Sequence, residues 1–204
     1  MNPLQKSLFK LGPQFASRWR ILQSIFRRLN FPYQVSWEGG HLKMGKSIQF
    51  AHPVKFQGKG TLILENHVKL GYWMAGSINH PILLQPREAN AVIQIGEKTA
   101  LVNGCELIAR TQITIGRDCR IGARCVFLDA DFHGLKANER NSPGMSQPIV
   151  LEDNVWLGTE VVILKGVRIG KDAVIGARCT VSKDVSAGAI AIGNPMKIIG
   201  SVYG

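Results

Sequence analysis

With 204 residues, 45% of them hydrophobic, the chain can bury a sizeable core within one domain, and its 22 glycines suit many tight corners. The sequence shows no run of about 18 apolar residues, which speaks against a transmembrane helix. It also shows no uninterrupted apolar core of a signal peptide, so a cytoplasmic protein is expected. The formal net charge of +11 calls for anionic partners. No nucleic-acid motif accompanies it, and a polyphosphorylated ligand would meet it equally well.

Residues 1–34 form a basic segment of their own. From Gln14 onward Phe15, Trp19, Leu22, Phe26 and Leu29 recur at steps of four and three, the stripe of an amphipathic helix. Pro13 suits its first turn, and Asn30 with Pro32 predicts its end. Lys6, Lys10, Arg18, Arg20, Arg27 and Arg28 stand here without an acidic residue. Two roles compete. Either the helix covers an open end or flank of the fold, or residues 14–29 lie against an anionic membrane, at its cytoplasmic face.

Residues 35–200 form the second unit, and 201–204 a short tail. Between Val35 and Gly71 aliphatic residues alternate with glycine-rich corners in a ragged rhythm. Tyr72 to Asn90 reads as an excursion, with Pro81 and Pro86 breaking any regular element. Six-residue steps run through Ile95, Leu101 and Leu107, slip by two residues at Ile113–Ile115, and continue through Ile121 and Phe127. The slip predicts one long corner near Arg110–Thr114. From Leu151 the period is strict: Leu151, Leu157, Ile163, Ile169, Ile175 and Val181 are aliphatic, and four places after each stands a small or β-branched residue. Neither a helix nor a lone strand repeats every six residues. Each hexad is one short strand plus a corner, and three make one coil of a triangular prism. The fold class is therefore all-β, a parallel β-helix of hexapeptide repeats with an N-terminal amphipathic helix and one external loop. Cys105, Cys119, Cys125 and Cys179 occupy small inward slots and are expected to be buried hydrophobes, neither disulfides, nucleophiles nor zinc ligands.

The wall breaks between Phe127 and Leu151, where the aliphatic slots read His133, Glu139 and Met145 and the small slot Asp131. An unpaired carboxylate in the core would cost several kcal/mol, so residues 129–148 (DADFHGLKANERNSPGMSQP) are expected to leave the prism as a functional loop. His41, His52, His67 and His80 have no acidic cluster beside them and read as solvated or structural. His133 follows Asp129 and Asp131, either of which could hold its ring.

The hexads, the loop histidine after aspartate, and the stretches Asn154–Gly158, Lys165–Gly170 and Gly193–Lys197 resemble the hexapeptide-repeat acetyltransferases. Asp129–Gly134 is most similar to O-acetyltransferases of surface polysaccharides. The resemblance implies a left-handed coil, a homotrimer with active sites between subunits, acetyl-CoA as donor, a sugar or glycan hydroxyl as acceptor, and no metal. It implies that His133 is the catalytic general base acting by direct attack. Asn103, thirty residues earlier and outward by hexad phase, would orient the acceptor. Trp156, outward-facing, would lie by the acceptor and the pantetheine arm. Thr159, Ala177, Ser182, Lys183 and Lys197 would line the CoA groove, and Arg178 departs from the family glycine. Acetylation of an antibiotic or an amino-sugar nucleotide, a non-catalytic β-helix scaffold, and a carbonic-anhydrase-like metalloenzyme are the other functions weighed.

Overall fold

The computed structural model describes residues 13–73 and 80–204, with side chains from residue 18 onward. The tail ends of two expectations, Lys6, Lys10 and the side chain of Phe15, and the centre of the 72–90 excursion, lie outside the described residues. The rest is a left-handed parallel β-helix with a helix, α1 (Pro13–Trp37), at its N-terminal end.

Three walls make the prism. The first contains the strands His41–Met44, Thr61–Leu64, Val92–Ile95, Gln112–Ile115, Ile149–Leu151 and Arg168–Ile169. The second runs from Gln49–Phe50 through Lys69–Leu70, Ala100–Leu101, Arg120–Ile121, Trp156–Leu157 and Val174–Ile175 to Ala189–Ile192. The third is built from Val54–Phe56, Ile82–Pro86, Glu106–Ala109, Val126–Leu128, Val162–Leu164 and Thr180–Val181. Register is in phase from coil to coil: Leu70, Leu101, Ile121, Leu157, Ile175 and Ala191 form one inward column of the second wall. Columns of this kind fill the interior, which is why a period of six in the chain becomes a stack at the strand spacing of about 4.8 Å. The C-terminal end closes with an antiparallel strand, Lys197–Ser201, folded back on Ala189–Ile192.

The structure corrects three expectations about the early coils. The coils begin at His41, since residues 35–37 still belong to the helix, and through Gly71 they are as regular as the later ones; they read as ragged because first-wall strands carry two inward residues, Leu62 with Leu64 and Ile93 with Ile95. The same feature explains the slip at Ile113–Ile115. Both side chains point inward from one strand, Gln112–Ile115, and the corner before it is only Arg110–Thr111. Pro86 breaks nothing, since it ends the strand Ile82–Pro86 with its ring buried.

At most corners glycine does something other than ease a bend. The left-handed corner positions are held by Lys98, Asp118, Asn154 and Asp172 on one edge and by Arg124, Glu160 and Arg178 on the next, all with φ near +60°, with glycine taking them at Gly104 (φ +74°) and Gly188 (φ +68°). Gly116, Gly122 and Gly158 instead sit where a Cβ would press on the backbone of the next coil. At Gly158 it would lie 2.6 Å from the amide nitrogen of Ala177. The small inward slots obey the same limit. Cys105, Cys119 and Cys125 are buried and donate their thiol hydrogens to Gly122, Glu152 and Gly158 carbonyls one coil further on. Burial pushes the Cys119 thiol up to about 11, which suits a packing group and not a nucleophile.

Helix α1 does not stop at Asn30. It passes through Pro32 to Trp37 because residues on both sides of the proline make its contact with the prism. Phe31 and Val35 are buried, and Phe31 packs on Phe50 with ring centroids 5.0 Å apart. Two such side chains bring roughly 3–6 kcal/mol of burial, which offsets the ~3 kcal/mol of an interior proline. Arg27 adds a hydrogen bond from Nη1 to the Ala51 carbonyl at 3.0 Å. The helix touches the first strand of every wall and so covers the N-terminal end.

Gly158→Ala tests the close-approach role. It should lower stability by about 1–3 kcal/mol, the usual cost of overpacking, in a thermal or denaturant unfolding curve, and Ala substitution at the exposed, open Gly200 should not.

Candidate active site

The arm at residues 129–148 leaves the prism where the third wall hands over to the first. It is a narrow paired structure at its base. Asp131 N donates to the Met145 carbonyl and Gln147 N to the Asp129 carbonyl, each at 2.9 Å, and Ala130 bridges to Ser146. A single turn of 3₁₀ helix, Ala137–Glu139, folds its far part. Phe132 adopts φ +62°, an uncommon conformation for a bulky residue, with the Arg87 guanidinium 5.1 Å from its ring centroid. This turn projects the next residue, His133, to the surface. Gly144 packs so closely behind it that a Cβ there would lie 2.5 Å from the His133 carbonyl oxygen.

Neither aspartate makes a hydrogen bond to the His133 ring. Nδ1 lies 3.0 Å from the Arg140 carbonyl oxygen. A carbonyl can only accept, so Nδ1 carries the hydrogen and Nε2 keeps its lone pair. The arm thus sets the tautomer from its own backbone, and Arg140 in turn donates from Nη1 to the Gly134 carbonyl.

Asp129 is fully buried, and it is not unpaired. Its carboxylate accepts from the amides of Arg110, Thr111 and Gln112 at 2.7, 2.7 and 2.8 Å, and from the Thr111 hydroxyl at 2.9 Å. The chain leaves the wall here because this carboxylate caps the corner of the coil below. Asp131 is paired with Lys165, Nζ to Oδ1 2.7 Å. Its other oxygen, Oδ2, is buried and without a hydrogen-bond partner among the described residues.

Asn103 departs from its expected outward position. It is buried at the second-to-third edge, where Oδ1 accepts from Tyr72 N at 2.8 Å and Nδ2 donates to the Tyr72 carbonyl at 3.0 Å. In one protomer it therefore holds a backbone corner on a different edge from His133. Trp156 does face outward, 57% exposed. It borders an open depression of about 500 Å³ with Arg120, Asn154, Asp172, Val174, Val202 and Tyr203. Tyr203 donates its hydroxyl to Asp172 Oδ2 at 2.7 Å, which holds that carboxyl below its ordinary range. Tail residues as lining carried no signal in the hexad pattern. Thr159 and Ala177 are exposed on the second-to-third edge, Ser182 and Lys183 on the edge that carries the arm, and Lys197 on the C-terminal strand. Arg178, beside Ala177, is tied to Glu160, whose carboxylate bridges it to Arg124; these guanidiniums, Arg124 foremost, hold Glu160 below the usual carboxylate range. Among the described residues no cluster of three His, Cys, Asp or Glu side chains could hold a metal ion.

Two family models match the chain: one described as bacterial transferase hexapeptide (six repeats), over residues 148–183, and one as hexapeptide repeat of succinyl-transferase, over 112–128. The crystal structure of a hexapeptide-repeat-containing acetyltransferase from Vibrio cholerae, complexed with acetyl coenzyme A, is 32% identical with a TM-score of 0.54, over 67% of this chain and 72% of that one. The chain belongs to the hexapeptide-repeat acetyltransferases. Another structure of this family, a polysialic-acid-specific acetyltransferase, is 25% identical with a TM-score of 0.61, over 80% of this chain and 82% of that one. A Staphylococcus aureus 2,3,4,5-tetrahydropyridine-2,6-dicarboxylate N-acetyltransferase is 36% identical over 86 residues, 42% of this chain and 32% of the relative. The chain spans about half the length, or less, of the curated relatives that it matches.

Asp129→Asn separates a structural carboxylate from one that orients a ring. Turning an acceptor into an amide donor beside three backbone N–H groups should cost about 2–4 kcal/mol of folding stability, read as a lowered unfolding midpoint. A ring-orienting residue would leave that midpoint in place.

Proposed function

We propose that this hexapeptide-repeat acetyltransferase moves an acetyl group from acetyl-CoA to a hydroxyl of a sugar, in a surface or exported glycan or its precursor, with His133 as general base. One observation carries the reading: an exposed imidazole on a stiff arm, with Nδ1–H donated to the Arg140 carbonyl and Nε2 left as the base. The acceptor oxygen attacks the thioester carbon while its proton passes to Nε2. The tetrahedral intermediate collapses with cleavage of the C–S bond, and the imidazolium returns the proton to the departing thiolate. The products are an acetyl ester and free CoA, and no acyl-enzyme is formed.

Support for acetyl-CoA as donor comes from the Vibrio relative, which is complexed with it. Support for a glycan acceptor comes from the polysialic-acid-specific relative. Within one protomer the residues assigned to CoA divide between two edges and the C-terminal strand, and Trp156 and His133 stand on different parts of the prism. A homotrimer, in which one protomer's arm faces a neighbour's exposed edge, gathers them into one cleft. Thr159, Ala177, Ser182, Lys183 and Lys197 are all exposed for that purpose, and the lysines supply charge for phosphates. The reaction would run in the cytoplasm, where acetyl-CoA is available. The Staphylococcus aureus relative acts as an N-acetyltransferase, so an amine acceptor is the second reading. An amine attacks as its free base, whereas an alcohol must lose its proton during attack, and the fixed Nε2 base favours the alcohol.

His133→Ala should lower turnover by about 10²–10⁴, the range for general acid–base groups, with CoA affinity nearly intact, in an assay of thiol release with a panel of glycan acceptors. Full turnover in this variant would remove the imidazole from the reaction. Acetylation of amino sugars but of no hydroxyl-only acceptor would decide for the second reading. Trp156→Ala should weaken CoA or acceptor binding, by calorimetry, while leaving the unfolding midpoint near the parent value, because the indole is exposed and packs little of the core.

A further inference from the structure

Helix α1 has two apolar faces, and only one of them is used. At 3.6 residues per turn, Phe31 and Val35 lie on one side, and both are buried against the end of the prism. Trp19, Leu22, Phe26, Leu29, Tyr33 and Trp37 follow one another at steps of three and four along the opposite side. All six are exposed, Phe26 at 68%, Leu29 at 65% and Trp37 at 91%, and Ile21 and Ile25 widen the same surface. The stripe anticipated from the sequence thus faces away from the prism it was expected to cover. A continuous apolar surface of this size calls for a partner.

Charge says which. Residues 13–37 contain Arg18, Arg20, Arg27 and Arg28 and no acidic residue. By the same geometry Arg18 and Arg28 are exposed within or at the border of the apolar surface, whereas Arg20 and Arg27 lie on the prism side, Arg27 held there by its bonds to the Phe50 and Ala51 carbonyls. Arg20 and Arg27 also stand over the Trp73 ring, 5.8 and 5.3 Å from its centroid. A second copy of this helix would bring Arg18 and Arg28 against like charge at the borders of the contact, with no acidic residue within 13–37 to answer them. An anionic lipid surface meets both properties: phosphates for Arg18 and Arg28, and the boundary of the acyl chains for tryptophan, phenylalanine and leucine. No described helix is long and apolar enough to cross a membrane, so the contact would be in the plane of the interface.

We propose that the outer face of α1 docks the protein on an anionic lipid surface, with the prism standing away from the bilayer on the helix's inner face. The inference does not rest on acetyl transfer. Its readout is vesicle binding, so it can fail or hold independently of the proposed reaction.

The test uses the full chain with vesicles of phosphatidylcholine containing phosphatidylglycerol, and with phosphatidylcholine alone. The protein should sediment with the anionic vesicles, release in high salt, and show a blue shift of tryptophan emission on binding. The double variant F26E/L29E, altered at two exposed positions, should bind at least about tenfold more weakly, with thiol-release activity, oligomeric mass and unfolding midpoint unchanged. Absence of sedimentation with anionic vesicles would overturn the proposal. So would undiminished binding by F26E/L29E, or a fall in its mass by light scattering, which would assign the stripe to contacts between copies of the chain.

Discussion

Every coil must return to the same register one strand spacing above the last, about 4.8 Å, and most of the molecule follows from that requirement. The inner columns can tolerate only side chains whose volumes add up layer by layer, so aliphatic residues alternate with small ones, and cysteine serves as one of the small ones. Backbone corners must also stack at that distance. This explains why glycine follows the inward aliphatic residue, where a Cβ would enter the next coil, while lysine, aspartate, asparagine and arginine tolerate the left-handed corner itself. A short polar side chain accepts that conformation at modest cost, and a long charged one can repay it by pairing along the edge, as Arg124, Glu160 and Arg178 do.

The three edges respond to the same requirement in different ways. The corner from the first wall to the second has four residues in each of the six coils, whereas the corner from the third wall to the first varies from two residues at Arg110–Thr111 to twenty at 129–148. Extra chain is released on two edges, eleven residues at 71–81 between the second and third walls and the arm between the third and first, and the arm is the larger release. It begins at Asp129, whose four hydrogen bonds stitch its root to the short corner of the preceding coil. A long insertion is thereby joined to the most rigid part of the structure. Positioning of a base on a surface loop needs that kind of foundation, since an imidazole displaced by an ångström loses much of its effect.

The period, the prism and the departure near residue 129 were all legible, because each is a property of spacing. The partners of polar side chains were not. Asp129 and Asp131 stood near His133 in sequence and were natural candidates to hold its ring, yet the ring's partner is the Arg140 carbonyl, and a backbone oxygen has no residue identity to recognise. Asn103 looked outward by hexad phase, but a corner side chain can turn inward to clamp the Tyr72 backbone from one edge of its own coil. The two-residue slips misled in the same way, because a period counts one inward residue per wall and the first wall often has two. Glycine placement was visible and its reason was not, since close approach between coils exists only once the coils are stacked.

The N-terminal helix shows how the end of a repeating structure differs from its middle. A coil in the middle has a neighbour on both sides, while the first coil must be covered by something that does not itself offer strand edges. Two side chains, Phe31 and Val35, are enough to cover it, and their burial, with Phe31 against Phe50, carries the helix through Pro32. A helix kept only to close the prism would need no more apolar residues than these. The opposite face instead has six large ones, with Arg18 and Arg28 exposed within or beside it, and burying these side chains neither improves the core nor seals the end. That surplus is a cost in water, so its explanation lies outside the prism, in whatever surface the helix meets.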